Sequence, residues 1–248
     1  MVKKERIDIL LHQRGLAESR GKAQALIMSG VVLADEKRVE KPSEKYACDV
    51  NLRIKGESPE SRYVSRGGLK LEKALDAFKI DPAGLVCLDI GSSTGGFTDC
   101  LLRHGAKRVV AIDSGTNQLD WRIRQDPRVE VHENTNARYL KSGDFHSPFD
   151  LGVIDVSFIS VTKILPAVQE LLKNEGKLIV LVKPQFEVGR GEVGKGGVVR
   201  EPEKHERVVQ KINDFAKSLG FEVVGLIESP IRGAEGNKEF LALYERKP

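Results

Sequence analysis

The 248-residue chain has little of what marks a membrane, secreted or metal protein. Its longest strongly apolar run, Leu178 to Val182, falls far short of the ~18 residues that a bilayer-spanning helix requires, so no membrane association is expected. Cys48, Cys87 and Cys100 are odd in number and lack Cys-x-x-Cys spacing, which argues against a disulfide framework and for reduced thiols. The 5 histidines show no ligand spacing such as His-x-x-x-His, and no metal is expected. The opening segment Met1-Val2-Lys3-Lys4-Glu5-Arg6 turns amphipathic at once, without the apolar stretch of a signal peptide; the expected location is the cytoplasm. Charge of one sign is also scarce, at a net +4, but it is unevenly spread. Residues 1–64 hold 13 Lys and Arg against 10 Asp and Glu, whereas the rest is almost neutral, as expected if the first quarter of the chain meets a polyanion.

That first quarter reads as a small αβ module. Ile7, Ile9, Leu10 and Leu11 form the apolar stripe of a short helix ending at Gly15, and Ser19 caps a second helix that carries Ala23, Leu26 and Ile27 and closes at Gly30. Val31-Val32-Leu33 and Val39 flank a polar turn as a hairpin, and Asp49 to Ile54 adds a strand. Lys55 to Arg62, with Gly56, Ser58 and Pro59, is the expected linker, which divides the chain into 1–62 and 63–248. The run Arg6-Ile7-Asp8, Leu10, Arg14-Gly15-Leu16, Ser19-Arg20, Ala23, Leu26-Ile27, Gly30 and Val32 resembles the S-four (alpha-L) type of RNA-binding domain. The resemblance implies that the second helix and the following hairpin present basic side chains to folded RNA. Arg6, Arg14, Arg20 and Lys22 are the candidates, since guanidinium forks suit phosphate oxygens; a surface ion pair is the alternative for each arginine.

The larger part opens its chemistry at Asp89-Ile90-Gly91-Ser92-Ser93-Thr94-Gly95-Gly96, directly after the apolar run Leu85 to Leu88. A buried strand that breaks into a glycine-rich turn and then a helix is how an open α/β sheet builds a nucleotide-type pocket. The Gly-x-Gly-x-x-Gly fingerprint of dinucleotide sites is broken at Ser93, and the Gly-Lys-Ser/Thr of a P-loop is missing. Acid-x-Gly-x-x-x-Gly resembles motif I of the S-adenosylmethionine (SAM) methyltransferases; another nucleotide site and a plain tight turn are the alternatives. On the SAM reading, Asp89, Gly91, Ser92, Thr94, Gly95 and Gly96 cradle the cofactor, with Gly91 and Gly95 needed only so that backbone approaches ligand. Asp113, ending the next apolar strand about 20 residues on, is placed to accept ribose hydroxyls. Asn136, in Asn134-Thr135-Asn136, would lie beside the adenine.

Strands and helices alternate from Val86 onward: strands at Arg108 to Asp113, Val129 to Val131, Leu151 to Asp155 and Lys177 to Lys183, and helices at Val161 to Leu172 and His205 to Leu219. The final strands, Glu222 to Ile227 and Phe240 to Tyr244, are joined without a helical pattern and are expected to pair as an antiparallel hairpin. The fold class is therefore α/β: a doubly wound, Rossmann-like sheet of the SAM methyltransferase kind behind the small N-terminal domain.

Lys70, Asp155, Lys183 and Glu239 stand out as a set, because charges that close or open apolar strands are costly unless they meet. They look like the Lys-Asp-Lys-Glu tetrad of RNA ribose 2′-O-methyltransferases, the FtsJ-like group. With Ser65 to Leu71, Asp155 to Ser160 and Gly194 to Arg200, the whole chain resembles the hemolysin A-like (TlyA) rRNA methyltransferases. The resemblance implies SAM as cofactor, ribosomal RNA or a ribosomal subunit as partner and a cytidine 2′-hydroxyl as target. Lys183 would be the central catalyst and Lys70, Asp155 and Glu239 its positioning partners. The loop Gly189 to Arg200, with Arg190, Lys195 and Arg200, is expected to close over RNA or to be a flexible connection only. The rival readings are a vestigial methyltransferase that only binds RNA, a hemolysin, and a base methyltransferase. The last lacks its usual Asn/Asp-Pro-Pro-Tyr/Phe signature, for Asp155-Val156-Ser157-Phe158 stands there.

Overall fold

The computed structural model describes residues 4–17, 19–55, 62–146, 148–189 and 191–248; most of the expected linker (56–61) and Arg190 lie outside them. The chain divides into two compact units, Met1–Arg62 and Tyr63–Pro248. No described helix is long and apolar enough to cross a membrane.

In the first unit, β1 (Lys4–Arg6) leads into α1 (Ile7–Gln13), and α2 (Arg20–Met28) is followed by β2 (Val32–Ala34), β3 (Lys37–Arg38), β4 (Lys45–Ala47) and β5 (Leu52–Ile54). The Ser19 hydroxyl accepts the Lys22 N–H at 3.2 Å and so starts α2. Gly15 and Gly30, at φ +72° and +74°, turn the chain where each helix stops. Ile7, Leu10, Leu11, Ala23, Ile27, Val32 and Val39 form the core. The strands β3-β2-β5 make an antiparallel sheet and β1 pairs with β4. The sequence reading misses β1 and β4, since three residues are too few to show alternation, and it starts β5 three residues early.

The second unit is built on a seven-stranded sheet of β6 (Val86–Ile90), β7 (Arg108–Ile112), β8 (Val129–His132), β9 (Phe149–Ile154), β10 (Leu172–Val182), β11 (Phe221–Glu228) and β12 (Phe240–Arg246), in the order β11-β12-β10-β9-β6-β7-β8. All neighbours pair in parallel except around β12, which is antiparallel to both β10 and β11, so the expected terminal hairpin is present. Around it lie α3 (Gly67–Phe78), α4 (Gly96–Arg103), α5 (Trp121–Arg124), α6 (Leu165–Leu171), α7 (Pro184–Glu187) and α8 (Pro202–Ser218). Successive strand residues feed two cores: Leu88, Val110, Ile154 and Val180 on one face, Cys87, Val109, Val153 and Ile179 on the other. Burial on both faces explains why these strands read as unbroken apolar runs.

Two expectations about this unit need correction, and one helix has no counterpart among them. The helix placed over 161–172 is a 3₁₀ turn, Val161–Lys163, followed by α6; Pro166 sits in the first turn of α6, where its missing N–H costs nothing. Leu172 already belongs to β10, whose pairing with β9 shifts register between Leu172 and Lys177. α3 has no sequence signal at its start because it opens on Gly67-Gly68. The close approach there is required, since a Cβ on Gly68 would lie 2.3 Å from the Tyr63 ring.

The chain runs from β6 outward to β7 and β8, then crosses back to β9 on the other side of β6. The carboxyl ends of β6 and β9 therefore flank the crevice in which open α/β sheets bind ligands.

Candidate active site

At the end of β6 the chain turns at Gly91, whose N–H, like that of Ser92, donates to the Ile112 carbonyl and prolongs the β6–β7 ladder (2.9 and 3.1 Å). Gly91 has φ +82°, and a Cβ there would stand 2.3 Å from the carbonyl oxygen of Asp155. Gly95, at φ +99°, would place a Cβ 2.8 Å from Leu119. Ligand approach is therefore not the only reason for these glycines. Gly91 lets the ends of β6 and β9 touch, and Gly95 lets α4 begin against Leu119.

Asp89 is fully buried. Thr98 Oγ1 donates to its Oδ2 at 2.6 Å, while Oδ1 has no partner. Burial, with the charges of Asp155 and Asp113 adding to it, pushes its carboxyl up to about 7. Asp113 follows β7 and accepts the N–H groups of Ser93 (2.8 Å) and Gly115 (2.7 Å), so its carboxylate is fixed by backbone with lone pairs to spare. Asn136 accepts the Arg138 N–H at 3.1 Å and caps the turn Ala137–Tyr139, leaving its amide hydrogens uncommitted by that bond.

The four tetrad residues come together as two pairs. Lys70, buried on α3, donates from Nζ to Glu239 Oε2 at 2.6 Å, with Glu239 just ahead of β12. Lys183, just past β10, has Nζ 2.5 Å from Asp155 Oδ1 and donates to Ser157 Oγ at 2.9 Å. A cavity of about 310 Å³ is lined by Lys70, Lys183, Asp155 and the turn residues Gly91 to Thr94 and Gly96, with Arg66 and Arg232 also on its wall. Glu239 does not line it and stands behind Lys70. A second cavity of about 440 Å³ holds Asp113, Gln118 and Asn136, and shares Gly91, Ser93, Asp155 and Ser157 with the first. Asp155 thus stands where the two meet.

Several groups at this site escape sequence reasoning. Ser157 lies in the segment Asp155 to Ser160, but nothing there marks its contact with Lys183. Gln185 reaches Glu239 Oε1 from Nε2 at 3.4 Å. Phe158, an apolar residue that reads as core, is 91% exposed, has φ +65°, lines the second cavity and packs on Phe186 with ring centroids 5.0 Å apart.

In the first unit, the arginines proposed for RNA are engaged internally. Arg6 grips the fully buried Asp8 with two bonds of 3.0 Å, Arg20 adds a third at 3.1 Å, and Gln24 a fourth at 2.9 Å. The Arg6 guanidinium, foremost among these partners, holds the Asp8 carboxyl well below the usual range. Arg14 donates to the carbonyls of Val50 (2.6 Å) and Cys48. Lys22 is exposed and forms no ion pair among the described residues.

Residues 63–246 match the family described as FtsJ-like methyltransferase, and residues 5–47 match the S4 domain. YqxC of Bacillus subtilis, provisionally named an rRNA methyltransferase, is 51% identical over 240 residues, covering 96% of this chain and 85% of that protein. The 16S/23S rRNA (cytidine-2′-O)-methyltransferase TlyA of Mycobacterium tuberculosis is 45% identical over 97% of this chain and 89% of its own length. A solved structure from Streptococcus thermophilus, provisionally named a hemolysin, covers 100% of this chain and 90% of that one at 48% identity and a TM-score of 0.75.

Proposed function

The chain belongs to the FtsJ-like methyltransferases, and we propose that it methylates a ribose 2′-hydroxyl of ribosomal RNA, that of a cytidine, with SAM as donor. The observation that carries this reading is the pair of lysine ammonium groups, each held by one carboxylate, in a cavity that opens onto the glycine turn. Ribosomal RNA and cytidine are taken from the relatives' names.

The residues present fit SAM. Asp155, on the wall of both cavities, suits a cationic group such as the sulfonium of SAM, and Asp113, with lone pairs to spare in the second cavity, suits its ribose hydroxyls. In this reading the turn from Gly91 to Gly96 holds the methionyl part, Asp89 lines neither cavity and supports that turn through Thr98, and Asp113 and Asn136 hold the adenosine. When bound, SAM supplies an activated methyl group on sulfur.

The protein's own contribution is positioning and charge. A ribose hydroxyl is a weak nucleophile, and negative charge grows on its oxygen as the O–C bond forms. Lys183 Nζ, fixed between Asp155 and Ser157, is placed to stabilise that charge, and Asp155 is within reach of the departing proton. Lys70, tethered by Glu239, lines the same cavity and orients the hydroxyl. The exposed ring of Phe158 offers the target base a stacking surface at the cavity mouth. No cysteine lines either cavity among the described residues, and burial pushes the Cys87 and Cys100 thiols up to about 12, which disfavours a cysteine-dependent base methylation.

Residues 1–62 are assigned to RNA binding and 63–248 to methyl transfer, and the protein is placed in the cytoplasm with the ribosomal subunits. Incubation with SAM and rRNA, followed by digestion to nucleosides, tests the reading. 2′-O-methylcytidine is the expected product; a base-methylated nucleoside, or none, overturns it.

A further inference from the structure

The segment from Gly194 to Arg200 is not simply a glycine-rich connection. Val198 and Val199 are buried, and the Gly194 N–H donates to the Val198 carbonyl at 3.0 Å, closing a loop whose tip is Lys195-Gly196-Gly197. Two buried side chains hold that loop, Asn237 with two bonds and His205 with one. Asn237 accepts the Val199 N–H on Oδ1 at 3.0 Å and donates from Nδ2 to the Gly197 carbonyl at 2.9 Å, as a peptide group would in a two-residue strand pairing. His205 Nε2 donates to the Val199 carbonyl at 2.9 Å. Only a primary amide offers that acceptor and donor in one plane; a carboxylate keeps the acceptor and loses the donor.

The same asparagine braces the wall of the tetrad cavity from behind. Its carbonyl accepts the Gly233 N–H at 2.9 Å, and Ile231, Arg232 and Gly233 line the cavity. Gly233 lies so close to the Glu239 carboxylate that a Cβ on it would fall 1.9 Å from Oε1. The Ser229 N–H donates to the Glu239 carbonyl at 2.9 Å, which closes the loop 229–239 at its base. Glu239, two residues beyond Asn237, holds Lys70.

We propose that Asn237 is a positioning residue for methyl transfer: it ties the Gly194–Arg200 strap to the 229–239 loop and thereby fixes Glu239, and through it Lys70, against the reacting hydroxyl. The inference rests on the ribose-methylation reading. It makes the strap and the tetrad one mechanical unit, with the basic residues Lys195 and Arg200 at a set place relative to Lys70.

The test is a cycle of Asn237→Ala and Glu239→Gln, read by single-turnover rate at saturating rRNA and by SAM affinity. Asn237→Ala is expected to lower the rate about tenfold or more with SAM affinity within about twofold, and to add less than about twofold in the Glu239→Gln background. A merely structural asparagine lowers both backgrounds by the same factor. Such multiplying losses, or a rate within about twofold of wild type, overturn the proposal. Asn237→Asp, which keeps the bond from Val199, carries the same comparison if the alanine variant does not fold. A wild-type protein that makes no ribose-methylated product overturns the reading and this inference together, whereas an active wild type with multiplying losses overturns this inference alone.

Discussion

Each unit hides a carboxylate entirely from solvent, and the two are treated in opposite ways. Asp8 is surrounded by Arg6, Arg20 and Gln24, which supply four bonds and hold its carboxyl well below the usual range. Asp89 is bonded by the hydroxyl and the backbone of Thr98, keeps one oxygen without a hydrogen-bond partner, and is pushed up to about 7 by burial beside two further acids. The small unit is electrostatically finished by its own residues. The large one keeps a buried acid whose surroundings favour the neutral form, directly ahead of the glycine turn proposed to hold a cationic ligand. A buried ion that is fully paired serves the fold, and one left short of partners marks a site.

The largest effect is expected at Lys183, on which the proposed chemistry turns. Lys183→Ala should lower the single-turnover rate about 100-fold or more, roughly 2.7 kcal/mol of barrier, with SAM affinity nearly intact. A loss under about tenfold would remove Lys183 from the central role. In the small unit, Asp8→Ala should lower the unfolding free energy by about 1–3 kcal/mol, the low end for a buried pair because Arg6 and Arg20 both reach water. Denaturant titration of the unit's transition measures it, and an unchanged midpoint would mean that the arginines are free for RNA after all.

The pH responses sharpen the contrast further. A carboxyl raised in the fold penalises the folded state as pH climbs from the ordinary carboxylate range, and the penalty is complete above about 7. The large unit without ligand should therefore melt lower at about pH 8 than at about pH 5.5, and Asp89→Asn should flatten that difference. SAM affinity should run the other way and rise with pH through about 7, because the cation prefers the ionised acid, by up to about tenfold. Calorimetry that finds no pH dependence separates Asp89 from the ligand. Asp8 has the opposite sign: its stabilisation is complete above the ordinary carboxylate range and is lost only as pH falls below it.

The smallest effect concerns Lys22. Because Arg20 is bound to Asp8, Arg20→Glu confounds RNA contact with folding, whereas Lys22→Glu does not. The latter should flatten the salt dependence of rRNA binding by somewhat under one unit of slope, with melting unchanged. An unaltered slope would take Lys22 off the RNA surface.

Sequence carries the strand ends well, since a charge within or just after a buried apolar run needs a reason: Asp89, Asp113, Asp155 and Lys183 are all legible this way. It did not carry pairing. Lys70 and Glu239 are 169 residues apart and meet only through α3 and β12, and nothing in the spacing says that Lys183 takes Asp155 instead. Nor did it distinguish an arginine that faces RNA from one that faces Asp8, because Arg-Ile-Asp reads the same in both cases. Phe158 escapes for a related reason: an apolar side chain says nothing of being 91% exposed on a residue at φ +65°.

The contact between Gly91 and the Asp155 carbonyl bears on how this enzyme could evade a competitive inhibitor. Resistance commonly arises when a side chain grows into the pocket and excludes the drug while the substrate is still tolerated. At Gly91 that route is closed, because the first carbon added would press on the strand end that carries the acid of the tetrad before it met any ligand. Raising the supply of the natural cofactor would not compensate, since the lesion is in the packing of the two strand ends and not in occupancy. An inhibitor that rests its weight on this glycine would press on a position with no room to change.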